Sequence, residues 1–275
     1  MKFSSKNYLT RLIFLIQNFF IDNMNLQRKI ETAAKWIYNS DNLVVFTGAG
    51  ISTTSGLPDY RGPDGVWTRR DKGLPPPKMK LSWDEVKPNR GHFAIVELLE
   101  LGKLDYLISQ NVDGLHAKSG IPFDKMSELH GNMYFMKCLK CNGKITFEDA
   151  GWDKKVWGKG YRTDPVHQNQ PKCPICGGRL ISSIVNFGDP LPEDELTEAI
   201  KRSQNADVFF VIGSSLVVSP AANMPAIAQR NGSKLIILNL GETPYDKRAD
   251  LRFFQDINEV LIPIVARVKN LLDKS

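Results

Sequence analysis

Apolar residues follow two distinct rhythms along this chain. Leu26, Ile30, Ala33, Ala34 and Ile37 recur at helical spacing and predict an amphipathic helix that Asp41-Asn42 ends. Ile257, Val260, Leu261, Ile264, Val265, Val268, Leu271 and Leu272 predict a terminal helix, and Phe93, Ile95, Val96, Leu98 and Leu99 a shorter one. Leu43 to Thr47 (LVVFT), Leu104 to Ser109 (LDYLIS), Val208 to Ile212 (VFFVI) and Leu235 to Leu238 (LIIL) show no such period. Apolar runs without polar alternation are expected of parallel strands covered on both faces. Helices alternating with such strands predict an α/β fold built on a Rossmann-like parallel sheet.

Each run ends in small or amide-bearing residues: Gly48, then Gln110-Asn111, then Gly213-Ser214-Ser215, then Asn239. Open parallel sheets bind ligands beyond the carboxyl ends of their strands, so these ends point to one shared cleft. The first turn reads Gly48-Ala49-Gly50-Ile51-Ser52-Thr53-Thr54-Ser55-Gly56. Its third glycine comes later than the dinucleotide fingerprint requires, which argues against an ordinary dehydrogenase. The physical logic is retained: glycines let the backbone approach a pyrophosphate, and free N–H groups at a helix start would hold it. A plain tight strand-to-helix turn is the alternative.

Residues 132–186 differ from the rest. They hold Cys138, Cys141, Cys173 and Cys176, with little periodicity, and read as a small inserted module. Residues 60–90, with Pro75-Pro76-Pro77 and scattered glycines, read as a mobile loop. The cysteines form two C-x-x-C pairs, the soft tetrahedral set that zinc prefers, and an all-cysteine site is closed and therefore structural. Two disulfides are the alternative, disfavoured in a reducing compartment. A DNA-reading finger lacks its basic helix. The net charge is +6, and half of it comes from Lys2, Lys6 and Arg11, so direct nucleic-acid binding is not indicated. The apolar run Leu12 to Ile21 is too short to span a bilayer and no membrane association is expected. A basic start before that run fits a presequence, but no small-residue cleavage site follows. Residues 1–23 are read as an N-terminal extension, either a presequence or a stretch upstream of a start at Met24.

Further polar segments follow in a fixed order: Gly56-Leu57-Pro58-Asp59-Tyr60-Arg61-Gly62, Gln110-Asn111-Val112-Asp113-Gly114-Leu115-His116, Glu128-Leu129-His130-Gly131-Asn132, Asn186-Phe187-Gly188-Asp189, Gly213-Ser214-Ser215 and Asn239-Leu240. In this order and register the chain resembles the sirtuin family over about residues 26–270. The resemblance implies a catalytic Rossmann-like domain over 24–131 and 187–275 carrying a zinc-ribbon-like module over 132–186. It implies an NAD-dependent protein-lysine deacylase that consumes NAD and releases nicotinamide, O-acyl-ADP-ribose and free lysine. The expected location is cytoplasmic, with mitochondrial or nuclear placement as alternatives.

By the same resemblance, Gly48, Ala49, Gly50, Gly213, Ser214, Ser215, Asn239 and Leu240 would hold the phosphates and adenosine ribose, with Gly241 and Ile257 near the adenine. Thr53, Asp59, Tyr60, Arg61 and Trp67 would line the path to the nicotinamide ribose. Asp113 with Ile51 would receive the carboxamide, Gln110, Asn111 and Val112 would order the ribose side, and His130 would be the general base, as suits an imidazole. Asn111, Asp113 and His130 are thus the expected catalytic residues. His116 reads as a packing residue; His92 and His167 have no implied role. Phe187 and Ile184 would wall a channel for the acyl-lysine of an extended peptide. Tyr60 replaces the Phe of many relatives. Gly65-Val66-Trp67-Thr68 resembles a branch with mono-ADP-ribosylating and long-chain-deacylating members, and no succinyl-gripping Tyr and Arg pair follows. Mono-ADP-ribosyl transfer to protein and a silent NAD-sensing module are the rival readings.

Overall fold

The computed structural model describes residues 5–79, 81–83 and 85–275, with the backbone alone for 5–21. Its elements, in chain order, are α1 (Ser5–Asn39), β1 (Leu43–Thr47), α2 (Val66–Asp71), α3 (Arg90–Glu100), β2 (Leu104–Ser109), α4 (Leu115–Ser119), β3 (Met126–Glu128), β4 (Phe135–Cys138), β5 (Lys144–Thr146), α5 (Lys154–Trp157), β6 (Leu180–Ser182), α6 (Glu193–Asn205), β7 (Val208–Ile212), α7 (Met224–Arg230), β8 (Lys234–Leu238), β9 (Leu251–Phe253) and α8 (Ile257–Leu272). Of the extension expected over residues 1–23, residues 1–4 and the side chains to residue 21 lie outside this description. The backbone from Ser5 is helical and continuous with the predicted Leu26–Ile37 helix. No helix among the described residues is long and apolar enough to cross a membrane.

Six strands form one parallel sheet in the order β3-β2-β1-β7-β8-β9. β1 and β7 are buried at every position because alternate residues serve opposite layers. Leu43, Val45, Phe210 and Ile212 pack with α1, α3 and α8, whereas Val44, Phe46, Phe209 and Val211 pack with α6 and α7. Double coverage is the physical reason these strands carry no polar alternation. The sheet extends past the four predicted strands. β3 and β9 have three residues each, too few for a period to register. α6 also escaped the pattern: it is rich in charge and buries only Ala199 and Ser203 fully.

The helix start expected after β1 is a 3-10 helix, Ala49–Ser55, which Gly56 ends at φ +91°. The proline-bearing stretch 60–90 contains α2, pinned by an Arg61–Asp71 ion pair at 2.9 Å.

β4, β5 and β6 form a separate antiparallel sheet over a small core of Met136, Ala150, Trp152 and Leu180 with Cys138 and Cys173. The chain crosses into this module after His130 and returns beside itself after Ser183. Val185 N donates to His130 O (2.9 Å), Asn132 N to Ser183 Oγ (3.0 Å), and Ser183 Oγ to Asn132 O (2.6 Å). Gly131 has φ +77°, and a Cβ there would lie 1.8 Å from Ser183 O, so only glycine fits the crossing. Lys137 and Lys144 add ion pairs to Asp194 (3.1 Å) and Glu195 at the start of α6.

Gly131→Ala is expected to lower the unfolding free energy by more than about 2 kcal/mol in urea denaturation, from left-handed strain plus a backbone clash. An unchanged midpoint would contradict the tight crossing.

Candidate functional site

The site begins where β1 and β7 end side by side, Thr47 opposite Ile212. The two chains leave the sheet almost in contact. Gly48 N donates to Ile212 O (3.1 Å) and Gly50 N to Gly213 O (2.8 Å). A Cβ on Gly50 would lie 2.7 Å from Gly213 Cα, and one on Gly48 2.8 Å from Gly213 O. Gly213 itself has φ +65° and would clash with Ile51 N at 2.5 Å. Close approach of two backbones therefore requires these glycines. Free amides were expected at this turn, but Gly48, Gly50 and Ile51 already donate, the last to Gly48 O at 3.1 Å. The Ile51–Gly48 bond closes the turn that contains Ala49, and Thr53 Oγ1 donates to Gly50 O (3.0 Å) in the next turn.

β2 delivers the next segment to the same edge. Gln110 N donates to Thr47 O (3.0 Å), and its side-chain amide donates to Ser214 Oγ (2.7 Å), so one residue ties three strand ends. Ser215 follows half-buried. Asn111 Nδ2 donates to Gly48 O (3.2 Å) and Ser52 Oγ (3.3 Å), and Val112 O accepts from Met133 N (2.9 Å). Asp113 is held at both oxygens, by Ser52 Oγ (2.7 Å) and Leu115 N (2.9 Å). Burial raises the Asp113 carboxyl above its ordinary range, against these two bonds and the Lys118 charge.

His130 Nδ1 lies 2.9 Å from Gln110 O. A carbonyl oxygen only accepts, so the proton sits on Nδ1 and the lone pair on Nε2. Burial lowers the His130 pKa from 6.5, outweighing the Gln110 carbonyl, which acts to raise it. His92 and His116 lie in tilted contact, with centroids 5.0 Å apart and ring planes at 54°. His92, fully buried on α3, accepts from Asn89 N (3.3 Å) as part of a capping box. Burial drives its pKa to about 4. His116 bonds Thr47 Oγ1 at 2.9 Å, the packing role expected of it, and burial lowers it well below 6.5. His167 lies in the module beside Trp157, 5.9 Å between centroids.

An aromatic wall flanks the cleft. Trp67 lies between Tyr60 (4.9 Å) and Phe187 (5.4 Å), and Arg61 stacks on it at 4.8 Å. The Asp59 carboxylate accepts from Gly62 N (2.8 Å) and shapes the turn before α2. Asp189 is likewise a turn residue, accepting from Asn186 N (3.2 Å). Beyond β8, Asn239 Nδ2 donates to Gly241 O (2.9 Å), while Leu240 is exposed. Ile257 packs across Gly91 from Ile51, each 3.4 Å from a Cβ built there. Ser52, Asn89 and Arg252 were not singled out by sequence. Ser52 joins Asn111 to Asp113, and Asn89 Nδ2 donates to Ile51 O (2.7 Å).

In the module, two similar knuckles face each other. Cys138 N donates to Gly143 O (3.0 Å) and Asn142 N to Cys138 O (3.0 Å); Cys173 N donates to Gly178 O (2.9 Å) and Gly177 N to Cys173 O (2.8 Å). Asn142 (φ +58°) and Gly177 (φ +68°) take the left-handed turn after the second cysteine of each pair. The four sulfurs lie within 4.8 Å of one another, with Cys138–Cys176 at 3.5 Å and Cys141–Cys173 at 3.7 Å. Sulfurs at about 2.3 Å from a tetrahedral zinc would sit roughly 3.8 Å apart. All four cysteines are free, so the set fits a structural zinc and not two disulfides.

A family model described as Sir2 family matches residues 76–220. The chain is 38% identical over 270 residues to the NAD-dependent protein deacetylase SRT1 of Arabidopsis thaliana, covering 95% of this chain and 55% of that protein. It is 38% identical over 263 residues to the NAD-dependent protein deacetylase 1 of Pyrobaculum aerophilum, covering 89% and 96%. The chain thus spans about half the length of the plant SRT1 proteins, 48% for that of Oryza sativa subsp. indica. A solved structure described as a Sir2–p53 peptide–NAD+ complex aligns with a TM-score of 0.63 at 37% identity, covering 88% of this chain and 97% of that one.

Cys173→Ser should abolish retention of one zinc per chain in a colorimetric metal assay and lower the melting temperature. Full metal retention would contradict a four-thiolate site. In an NMR titration His130 should show a midpoint below 6.5 and His92 one near 4. A His130 midpoint at or above 6.5 would contradict its burial.

Proposed function

This chain belongs to the Sir2 family, and from that premise we propose that it is an NAD-dependent protein-lysine deacylase. The observation that carries the reading is the fixed tautomer of His130, which leaves an unprotonated Nε2 at the carboxyl edge of the sheet. NAD would lie across that edge, its pyrophosphate over Gly48, Ala49 and Gly50 and its adenosine ribose toward Ser214, Ser215 and Asn239. Because the amides of Gly48, Gly50 and Ile51 already donate within the fold, the two glycines contribute access more than donors. The catalytic domain would comprise residues 24–131 and 187–275, and the zinc module 132–186.

NAD supplies a glycosidic bond whose C1′ the amide oxygen of an acyl-lysine can capture as nicotinamide leaves. Asp113, oriented at both oxygens by Ser52 and Leu115, would receive the departing carboxamide beside Ile51. His130 Nε2 would take the proton of a ribose hydroxyl. That hydroxyl oxygen then attacks the imidate carbon, and hydrolysis gives free lysine and O-acyl-ADP-ribose. The Gln110 carbonyl both sets the tautomer and stabilises the imidazolium that forms. Gln110, Asn111 and Val112 would order the ribose side. Tyr60, Trp67 and Phe187 give the substrate channel an apolar wall suited to an uncharged acyl chain. The zinc would hold the module's fold and takes no part in these steps. Four free thiols favour a reducing compartment, the cytoplasm or, by other routing, the mitochondrion or nucleus.

Mass spectrometry of an acetylated peptide with and without NAD tests the proposal. The chain should remove the acetyl group only when NAD is present, and His130→Ala should cost about 100-fold or more in kcat. A gain of ADP-ribose on unacylated protein, without deacylation, would replace the proposal with mono-ADP-ribosyl transfer. Activity should also persist at pH values where a free imidazole is protonated. The base works when neutral and its folded pKa is depressed, so the acid limb should fall below 6.5.

A further inference from the structure

We infer that Arg252 is a positioning residue for the nucleotide, holding the Asn239–Gly241 turn in the shape that receives the adenosine ribose. The inference rests on the NAD reading given above. Arg252 lies in the middle of β9, opposite Ile237 of β8. Its side chain is only 9% exposed, and every nitrogen of its guanidinium donates. Nε donates to Asp246 Oδ1 (2.7 Å), Nη1 to Asn239 O (2.7 Å) and Phe253 O, and Nη2 to Gly241 O (2.5 Å). The guanidinium also stacks on Phe254, 3.7 Å from its ring centroid.

The two bonds that place Asn239 end on carbonyls that Arg252 also grips. Asn239 N donates to Phe253 O (3.2 Å), and Asn239 Nδ2 donates to Gly241 O (2.9 Å). Asp246 extends the clamp by accepting from Thr243 N (3.1 Å) and Thr243 Oγ1 (2.6 Å). Burial alone would raise the Asp246 carboxyl; the Thr243 bonds and the Arg252 charge outweigh it and hold the group ionised. A largely buried guanidinium thereby has its counter-charge, which it needs. The connection from β8 to β9 carries only a short 3-10 turn, Asp246–Arg248, and Arg252 ties its first residues to the strand by gripping Asn239 O and sharing Phe253 O and Gly241 O with Asn239. Only a planar fork with five N–H groups meets three carbonyls and a carboxylate at once; the lysine ammonium does not.

Calorimetry with ADP-ribose and steady-state kinetics on the full, zinc-loaded chain test this, with circular dichroism and zinc content confirming the fold. For Arg252→Gln and Arg252→Lys the ADP-ribose Kd and the KM for NAD should rise about tenfold, the value of one charge-assisted hydrogen bond. At saturating NAD, kcat should stay within about twofold, because the reacting end is untouched. Asp246→Asn should shift KM in the same direction by less, and it carries the test should the Arg252 variants fail to fold. Wild-type affinity in folded Arg252→Gln, restoration by lysine, an unchanged KM in Asp246→Asn, or a loss in kcat at constant KM would each overturn the inference. If the wild-type chain itself takes up no ADP-ribose, the NAD reading fails along with it.

Discussion

The backbone contact between the turn after β1 and the turn after β7 is the constraint on which the site depends. Gly50 N and Gly213 O meet at 2.8 Å, with no room between them for a side chain. Parallel pairing brings both turns to the same edge, and the missing side chains let them lie against each other there. Gln110 then bridges to Ser214, and Asn111 to Gly48 and Ser52, so three strand ends become one hydrogen-bonded floor. Each bond adds about 1 kcal/mol net, yet an unpartnered buried group costs more than a made bond gains. The floor therefore holds as a unit, and Asp113 is oriented by the same set of bonds.

The second dependence runs through the module. His130 precedes a crossing where the outgoing and returning chains lie in contact, and Val185 N donates to the carbonyl of His130 itself. The knuckle cysteines fix β4 and β5, and these strands carry Lys137 and Lys144 to the start of α6. A thiolate-bound metal in the small sheet would thus stiffen the segment that bears the imidazole, without approaching the chemistry. Arg252 does similar work beyond β8, where one guanidinium grips three carbonyls, two of which Asn239 also bonds.

How much of this was legible in the sequence follows from what each element must bury. β1, β2, β7 and β8 are covered on both faces and announced themselves as apolar runs. The three-residue strands β3 and β9 pair at the sheet margins and leave too short a signature. α6 packs through Leu196, Ala199 and Ile200 alone on a helix rich in charge, so it is amphipathic but too poor in apolar residues to mark itself. The motifs located Gln110, Asn111, Asp113 and His130 on one edge, and the structure brings them together. Asp59 is engaged in the turn before α2, and Ile257 packs across Gly91 from Ile51. Arg252 was invisible for a different reason. Its partners are mainly backbone carbonyls, which every residue has, so no side-chain pattern records them.

The central claim is that a dinucleotide lies across the carboxyl edge of the sheet, with its glycosidic carbon beside His130 Nε2. A crystal structure of the zinc-loaded chain soaked with ADP-ribose tests it most directly. The account predicts one molecule with its pyrophosphate over Gly48–Gly50 and its distal ribose hydroxyls within hydrogen-bonding reach of His130 Nε2. Density for ADP-ribose elsewhere, or a ribose turned away from that imidazole, would contradict it.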